Sequence, residues 1–178
     1  MHPQLAVIAS DLEAASARAT RLMDSLDEAR FHARRDLTRW SAAECIAHLT
    51  LTARVYVPLI DAALAQGAPV AGVPRYQRDI LGWLLSVLLE PPVRIRLKTL
   101  AAFVPAGTGT RAEVGTEFTR AQAGLLHRLE TASGRDLNRL KIVSPFNAHV
   151  SYNLYSAFRI LAAHERRHLW QAERAAGR

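Results

Sequence analysis

The chain has 178 residues and a net charge of +7, with 49% hydrophobic and 22% charged residues. This length and composition predict a single folded domain over residues 1–178 and exclude a chain that is mainly disordered. The basic residues are almost all arginines scattered along the sequence, which argues against the clustered positive surface of a nucleic-acid-binding protein.

Hydrophobic spacing predicts two long helices in the first part of the chain. Apolar residues at three- and four-residue intervals over residues 5–30 indicate a first amphipathic helix. A second helix is predicted over residues 42–66 and should end at Gly67. Ser41 and Glu44 form the pattern of a capping box, in which each side chain accepts a hydrogen bond from the backbone amide of the other residue.

Residues 67–109 contain several prolines and are predicted to form a long crossover. Within it, residues 77–89 indicate a short apolar helix. Its longest apolar run is about half of the ~20 residues that a membrane-spanning helix needs, so we expect no membrane contact. Residues 93–100 alternate between apolar and polar side chains, which is typical of an extended strand. A single cysteine, Cys45, is typical of a reducing compartment, and we therefore expect a cytoplasmic protein.

Two more long helices are predicted in the second half of the chain. One covers residues 111–133 and ends at Gly134, and the other covers residues 151–176. Residues 136–150 between them, which include Pro145 and Asn147, are predicted to form a connector. Four long helices with a long connection between the second and third predict an all-α four-helix bundle, since too few residues show a strand pattern for a sheet-based core.

The sharpest local motif is the run HERRH at residues 164–168. Histidines four residues apart on a helix lie on one face about one turn apart, so both rings can reach the same metal ion. The same pattern occurs in zinc proteases, where the glutamate is a general base, and this makes Glu165 a candidate catalytic residue. Glu165 lies beside His164 and off the face shared by the two histidines, so the simpler interpretation is a surface carboxylate.

A third metal ligand has to come from upstream, because only ten residues follow His168 and Glu173 is the only acidic one among them. His48 is the candidate, since it lies on a largely apolar face in the second turn of the second predicted helix. Facing helices of a bundle can direct one histidine and a histidine pair to a shared point, and three imidazoles form an open site of the catalytic type. The alternatives are a hydrogen-bonded core His48 and a solvated histidine pair. Cys45 is either a further ligand or a small buried residue.

Two segments are similar to the signature segments of the DinB-like superfamily of metal-binding four-helix bundles. They are WSAAECIAHL at residues 40–49 and LAAHERRHLWQAERA at residues 161–175. The stretch LEPPVRIRLKTLAAFVP at residues 89–105 resembles the crossover of one branch of that superfamily. The resemblance implies a DinB-like bundle in which His48, His164 and His168 bind one divalent metal ion.

The resemblance also bears on the chemistry of this site. It implies that the ion is zinc or nickel in preference to iron or manganese. It also implies that the polar side chain of Gln171 supports the metal ligands. Glu44 is a second candidate for this supporting role, in addition to its capping role. A divalent ion on three neutral imidazoles keeps its full charge, so it can lower the pKa of bound water toward ~7 or bind a thiol as the thiolate. The sequence thus predicts a metal-dependent hydrolase or thiol S-transferase.

Two hypotheses therefore remain open for the function. In the first, the protein acts on a small molecule such as a low-molecular-weight thiol, whose carboxylates would pair with basic side chains of the crossover. In the second, a non-catalytic bundle binds a partner or forms a homodimer through its apolar helix at residues 80–89, and the metal site is structural or vestigial. The crossover residues expected to wall the pocket are Tyr76, Trp83, Arg94, Arg96 and Lys98.

Overall fold

A computed structural model describes residues 1–92 and 99–178 of the chain. Among the six helices in chain order, the first and third each pack against the fifth and sixth. These four long helices confirm the predicted all-α four-helix bundle. The elements are α1 (Pro3–Asp24), α2 (Glu28–His32), α3 (Ala42–Ala65), α4 (Ile80–Leu89), α5 (Arg111–Ala132) and α6 (Leu154–Ala175), with strands β1 (Lys141–Ser144) and β2 (Asn147–Asn153).

The prediction of one helix over residues 5–30 is wrong, because the chain turns between α1 and α2. Ser25 ends α1, and the side chain of Asp27 accepts a hydrogen bond from the amide of Arg30 to begin α2. Leu26 in the turn and Phe31 in α2 are both buried on the same side as the apolar face of α1. The hydrophobic spacing therefore continues across the break and does not reveal it.

The start of α3 agrees with the predicted capping box. The Ser41 hydroxyl accepts a hydrogen bond from the Glu44 amide at 3.2 Å, and the Glu44 carboxylate accepts one from the Ser41 amide at 2.8 Å. Arg34 also donates to that carboxylate at 2.8 Å from its Nε atom. The capping box thus fixes the first turn of α3, and the second turn carries His48.

Replacing Ser41 with alanine is expected to lower the free energy of unfolding by about 1 kcal/mol, because the Glu44 amide loses its acceptor. Urea denaturation checks this value. Ser16→Ala is the matched control, since the Ser16 hydroxyl lies within α1 and bonds to the Leu12 carbonyl, where alanine is the better helix former. An equal loss of stability in both variants would contradict the capping role.

The crossover between α3 and α5 contains α4, which packs against α6. Helix α4 begins at Ile80, three residues later than the predicted residue 77, because Asp79 caps it by accepting a hydrogen bond from the Gly82 amide at 2.8 Å. The same carboxylate accepts from the Asn153 amide, which ties α4 to the start of α6. The strand pattern at residues 93–100 falls mostly outside the described residues.

The connector predicted over residues 136–150 contains a β-hairpin, which the sequence did not predict. Strands β1 and β2 pair antiparallel, with Ile142 opposite Tyr152, and α6 begins only after the hairpin, with Asn153 as its cap. Four residues of β1 are too few for a sequence pattern to stand out. The hairpin turns Ile142, Ser144 and Tyr152 toward the interior of the protein.

The helices bury two apolar clusters, which lie at different levels of the bundle. Helix α5 ends as predicted, since Gly134 takes a φ of 82°, which favours glycine. In the part of the chain that the structure describes, no helix combines the length and the apolar character needed to cross a membrane.

Candidate metal centre

The structure brings the three predicted histidines together between α3 and α6. Ligand-capable atoms of His48, His164 and His168 all lie within 4.8 Å of one another. Their ring centroids are 4.3–5.0 Å apart, and their exposed fractions are 1%, 7% and 7%. Histidines this buried and this close form a single cluster in the interior rather than a solvated surface pair.

The histidine cluster lies where the apolar core is interrupted. One apolar cluster contains Ile46 and Leu169, and the other contains Tyr56 and Leu161. Along α6 the histidines come between the residues of these two clusters, whereas on α3 His48 lies beside Leu49 of the first cluster. Buried polar groups in such a position need polar partners, because apolar side chains cannot form hydrogen bonds.

His48 has a fixed orientation and a fixed tautomer. Its Nδ1 atom donates a hydrogen bond to the backbone carbonyl of Phe103 at 2.7 Å, so its Nε2 atom keeps a lone pair. That lone pair lies 3.2 Å from Nε2 of His164. Two nitrogens bound to one tetrahedral ion at ~2.0–2.1 Å are ~3.3 Å apart. The spacing of these two atoms thus fits a shared metal ion.

Burial keeps the histidine cluster uncharged at neutral pH. It lowers the pKa of His48 and lowers the pKa of His164 and His168 well below their ordinary value. The neighbouring histidines and the positive charge of Arg167 lower the last two pKa values further. Neutral imidazole is the form that binds metal, so the donor chemistry fits a divalent ion such as zinc or nickel.

The second ring nitrogen of His164, Nδ1, is not the atom that would hold the ion. Among the residues described, none forms a hydrogen bond with Nδ1 of His164, although that atom is buried. An unpaired buried polar atom is unfavourable in a protein core. An ion bound through Nε2 leaves this atom for another partner, such as a water molecule. The fit of the residues to an ion therefore rests on the spacing of the Nε2 atoms and on the neutral imidazoles.

A cavity of about 1230 Å³ opens onto the histidine cluster. Trp40 lies against it, with its ring 4.9 Å from that of His48 and 5.9 Å from that of His168. Phe146, in the turn of the hairpin, lies 5.9 Å from the ring of His164. These aromatic walls reduce the access of water, and the cavity volume is enough for a small-molecule substrate.

Glu165 is not the surface carboxylate that the sequence suggested. It is 4% exposed, and its carboxyl group lies against Gln122 of α5. Burial raises its pKa to about 8, and the hydrogen bond from Gln122 and the charge of Arg166 oppose this rise. Glu165 is absent from the described lining of the cavity. Its packing toward α5 therefore gives no support to the predicted catalytic role.

The two residues expected to support the ligands differ in position. Gln171 lines the cavity beside His168 and partly offsets the lowering of that residue's pKa. Both carboxylate oxygens of Glu44 instead accept hydrogen bonds from Arg34, and one also accepts from the Ser41 amide. The structure thus gives Glu44 a capping role, with no described hydrogen bond to the histidine cluster.

Cys45 is buried in the apolar cluster that contains Ile46 and Leu169; it also lines the cavity but is not part of the histidine group. Burial raises the pKa of its thiol to about 12.

We expect iodoacetamide at pH 8 to label Cys45 about a thousandfold more slowly in the folded protein than in urea, because only the thiolate reacts. At pH values below that pKa, the labelling rate of the folded protein should rise about tenfold for each unit by which the pH is raised. Mass spectrometry measures this rate. Fast labelling of the folded protein at pH 8 would contradict this assignment.

The structure also corrects the predicted walls of the pocket. Neither Tyr76 nor Trp83 belongs to the described lining of the cavity. Tyr76 packs against His2 and Tyr155 elsewhere in the bundle, and Trp83 is half exposed on α4. The basic residues at 94, 96 and 98 lie outside the described residues.

Sequence reasoning missed several residues that shape the site. Phe103 contributes only its backbone carbonyl, so its residue type carries no signal for that role. Phe146 reaches the site because of the hairpin, which the sequence did not predict. Trp40 begins the segment WSAAECIAHL, but its ring contacts with both His48 and His168 depend on the fold.

Comparison with known proteins agrees with this geometry. A family model described as the DinB superfamily matches residues 11–172, a region that contains all three histidines. Searches of the curated proteins and of the solved structures find no match. Because the match covers nearly the whole chain, from the first helix of the bundle to the last, the chain belongs to the DinB superfamily.

Proposed function

We propose that this protein binds one divalent metal ion through His48, His164 and His168 and uses it in a reaction of a small molecule. The observation that carries the proposal is the convergence of three buried, neutral imidazoles beside a large cavity. Three protein ligands leave a coordination position for water or substrate, as in catalytic rather than structural zinc sites. Zinc and nickel suit this set of nitrogen donors best.

Each part of the site has a role in this proposal. The Phe103 carbonyl holds the His48 ring in place, and Trp40 and Phe146 limit the entry of water. When bound, the ion would supply either a hydroxide for hydrolysis or a site where a thiol is held as the thiolate. The chain itself then has to bind the substrate and orient it toward the histidine cluster.

The charges around the cavity favour thiol transfer with an anionic thiol. Four of the five charged side chains that line the described part of the cavity are positive, and a low-molecular-weight thiol that carries carboxylates would pair with them. Asp36 is the single acidic member, and it forms an ion pair with Arg39. These charged side chains are Arg35, Asp36, Arg39, Arg167 and Arg174.

The proposal is tested by assaying the protein after loading it with zinc, nickel, iron or manganese. Glutathione and cysteine serve as thiols, with 1-chloro-2,4-dinitrobenzene as the electrophile; the sulfur–carbon bond forms as chloride leaves and the thiol proton passes to solvent. p-Nitrophenyl acetate tests hydrolysis. We expect turnover that depends on the metal and is lost in His168→Ala. Stoichiometric metal without turnover of any of these substrates would contradict the enzyme proposal.

A second candidate function rests on the exposed face of α4. Ile80, Trp83, Leu84 and Val87 repeat at helical spacing and are 87%, 50%, 52% and 51% exposed. Such a stripe can pair with the same stripe of a second copy in a symmetric dimer, as in a non-catalytic bundle. Light scattering would then show a dimer that Leu84→Glu converts to a monomer, whereas a monomeric wild-type protein would contradict this candidate.

A further inference from the structure

We propose that a group of buried hydroxyls next to the metal centre binds an uncharged oxygen group of the substrate. This group, the hydroxyl pocket, consists of Thr52, Tyr56, Ser144 and Tyr152, all of which are buried and line the same cavity as the histidine cluster. The inference rests on the proposed function, since it takes the reacting end of the substrate to lie at the metal.

The hydroxyl pocket continues the histidine face of α3. His48, Thr52 and Tyr56 are four residues apart and therefore lie in one column on the same side of the helix. At 1.5 Å per residue, Thr52 is ~6 Å and Tyr56 ~12 Å farther along the helix than His48. A substrate that reaches from the metal to this pocket would thus span roughly 6–12 Å.

The hairpin supplies the other side of the pocket. The Tyr152 hydroxyl of β2 lies 2.5 Å from the Tyr56 hydroxyl of α3, so one phenol donates to the other. Ser144 of β1 lies beside Tyr152, close enough to affect the pKa of its phenol. These contacts place hydroxyl groups from three elements around one point of the cavity.

Thr52 is the residue that points to a ligand. Elsewhere in the helices, the hydroxyls of Thr50, Thr116 and Thr131 donate to the carbonyl four residues earlier. The Thr52 hydroxyl is buried, and no hydrogen-bond partner for it occurs in the described parts of the chain. Since a helical threonine has a local acceptor available, this arrangement leaves its hydroxyl for a group in the cavity.

The charges around the pocket favour an uncharged partner. Its four side chains include no cation, and burial raises the pKa of both tyrosines, so the phenols stay neutral. The carboxylate of Asp79 is near enough to raise the pKa of Tyr152 further. A second negative charge would be repelled and poorly solvated here. A hydroxyl group, which both donates and accepts, or a carbonyl oxygen, which accepts, fits the neutral hydroxyls of this pocket.

The first test compares Thr52→Val with Thr50→Val in the metal-free protein. Both threonines are buried in α3, but among residues 1–92 and 99–178 only the Thr50 hydroxyl finds a hydrogen-bond partner. Valine at position 52 should leave the melting temperature unchanged or raise it by about 2–4 °C, because an unsatisfied hydroxyl is removed. A loss as large as that in Thr50→Val would show that the Thr52 hydroxyl has a structural partner and would overturn the inference.

The second test uses the cobalt-loaded protein and thiols of defined length. The probes are 2-mercaptoethanol, 4-mercaptobutanol and 6-mercaptohexanol, each compared with the alkanethiol of equal heavy-atom count. The absorption band of the cobalt–thiolate bond reports binding. We expect the hydroxyl to raise affinity about tenfold at one of the two longer lengths and not in 2-mercaptoethanol, which is too short to span the distance.

The gain in affinity should disappear in Thr52→Val and persist in Thr50→Val. An equal affinity with and without the hydroxyl at every length, or a gain that survives in Thr52→Val, would overturn the inference. The cobalt content of each variant is measured alongside. If the wild-type protein binds no cobalt, the proposed function fails, and the melting temperatures of the two valine variants then decide on the hydroxyl pocket.

Discussion

Replacing His168 with alanine is expected to weaken zinc binding by about a hundredfold or more, since loss of a ligand exceeds the effect of losing a supporting contact. Equilibrium dialysis with elemental analysis measures the stoichiometry, which should fall from one ion per chain to none at micromolar zinc. His127→Ala and His149→Ala are matched controls, because both histidines are exposed and lie outside the cluster. Equal zinc binding in His168→Ala and in these controls would contradict the metal centre.

The same variants can be compared by the change in melting temperature that zinc causes. Zinc at a hundredfold excess over its dissociation constant should stabilise the wild-type protein by about 2.7 kcal/mol, which raises the melting temperature by about 5–10 °C. His168→Ala should show no such shift, whereas His127→Ala should keep it. A shift of equal size in His168→Ala would mean that zinc binds somewhere else.

Gly82→Ala is expected to lower the free energy of unfolding by about 2–3 kcal/mol. The backbone of α4 approaches α6 so closely at this position that an added Cβ would lie 2.2 Å from the Cβ and the hydroxyl of Ser156. Ser156 is fully buried and hydrogen-bonded to Asp79, so it has little freedom to move. Helix α4 must therefore shift, and chemical denaturation measures the loss.

Gly124→Ala is the matched control for this prediction. Gly124 lies in α5, and its added Cβ would meet only the end of the Arg128 side chain at 3.6 Å. That variant should gain about 0.5–1 kcal/mol from helix propensity. Combining Gly82→Ala with Ser156→Gly should restore part of the lost stability. A neutral Gly82→Ala, or a double variant with summed losses, would contradict the close packing of α4 on α6.

Helix α4 also connects this packing to the function. Leu85, Leu88 and Leu89 on its inner side line the cavity. A displaced α4 should therefore widen the cavity in Gly82→Ala while the histidine cluster, held by α3 and α6, stays intact. We expect this variant to bind zinc about as tightly as the wild-type protein does and to bind the thiol probes more weakly.

The parts of the fold that were predictable from sequence are those with a local cause. The capping box of Ser41 and Glu44 needs only neighbouring residues, and it marked the start of α3 correctly. The break between α1 and α2 has a local signal in Asp27, but the continuous apolar face concealed it. The hairpin depends on contacts between β1 and β2 and with α3, which a single sequence does not display.

The same distinction applies to the site. The spacing of His164 and His168 is a property of one helix. The apolar face of the second predicted helix indicated His48 as their partner, and the resemblance implied the same residue. Which way Glu165 faces depends on the rotation of α6 within the bundle, and the structure turns it toward Gln122 of α5. The contribution of Phe103 through its backbone and the gathering of hydroxyls around Thr52 both require the folded chain.

X-ray absorption spectroscopy of the zinc-loaded protein tests the three-histidine metal centre most directly. We expect three imidazole nitrogens at ~2.0–2.1 Å with oxygen in the remaining position, and two imidazoles in His48→Ala. A spectrum of the wild-type protein with a sulfur ligand at ~2.3 Å, or with fewer than three imidazoles, would contradict the assignment of His48, His164 and His168 as the ligands.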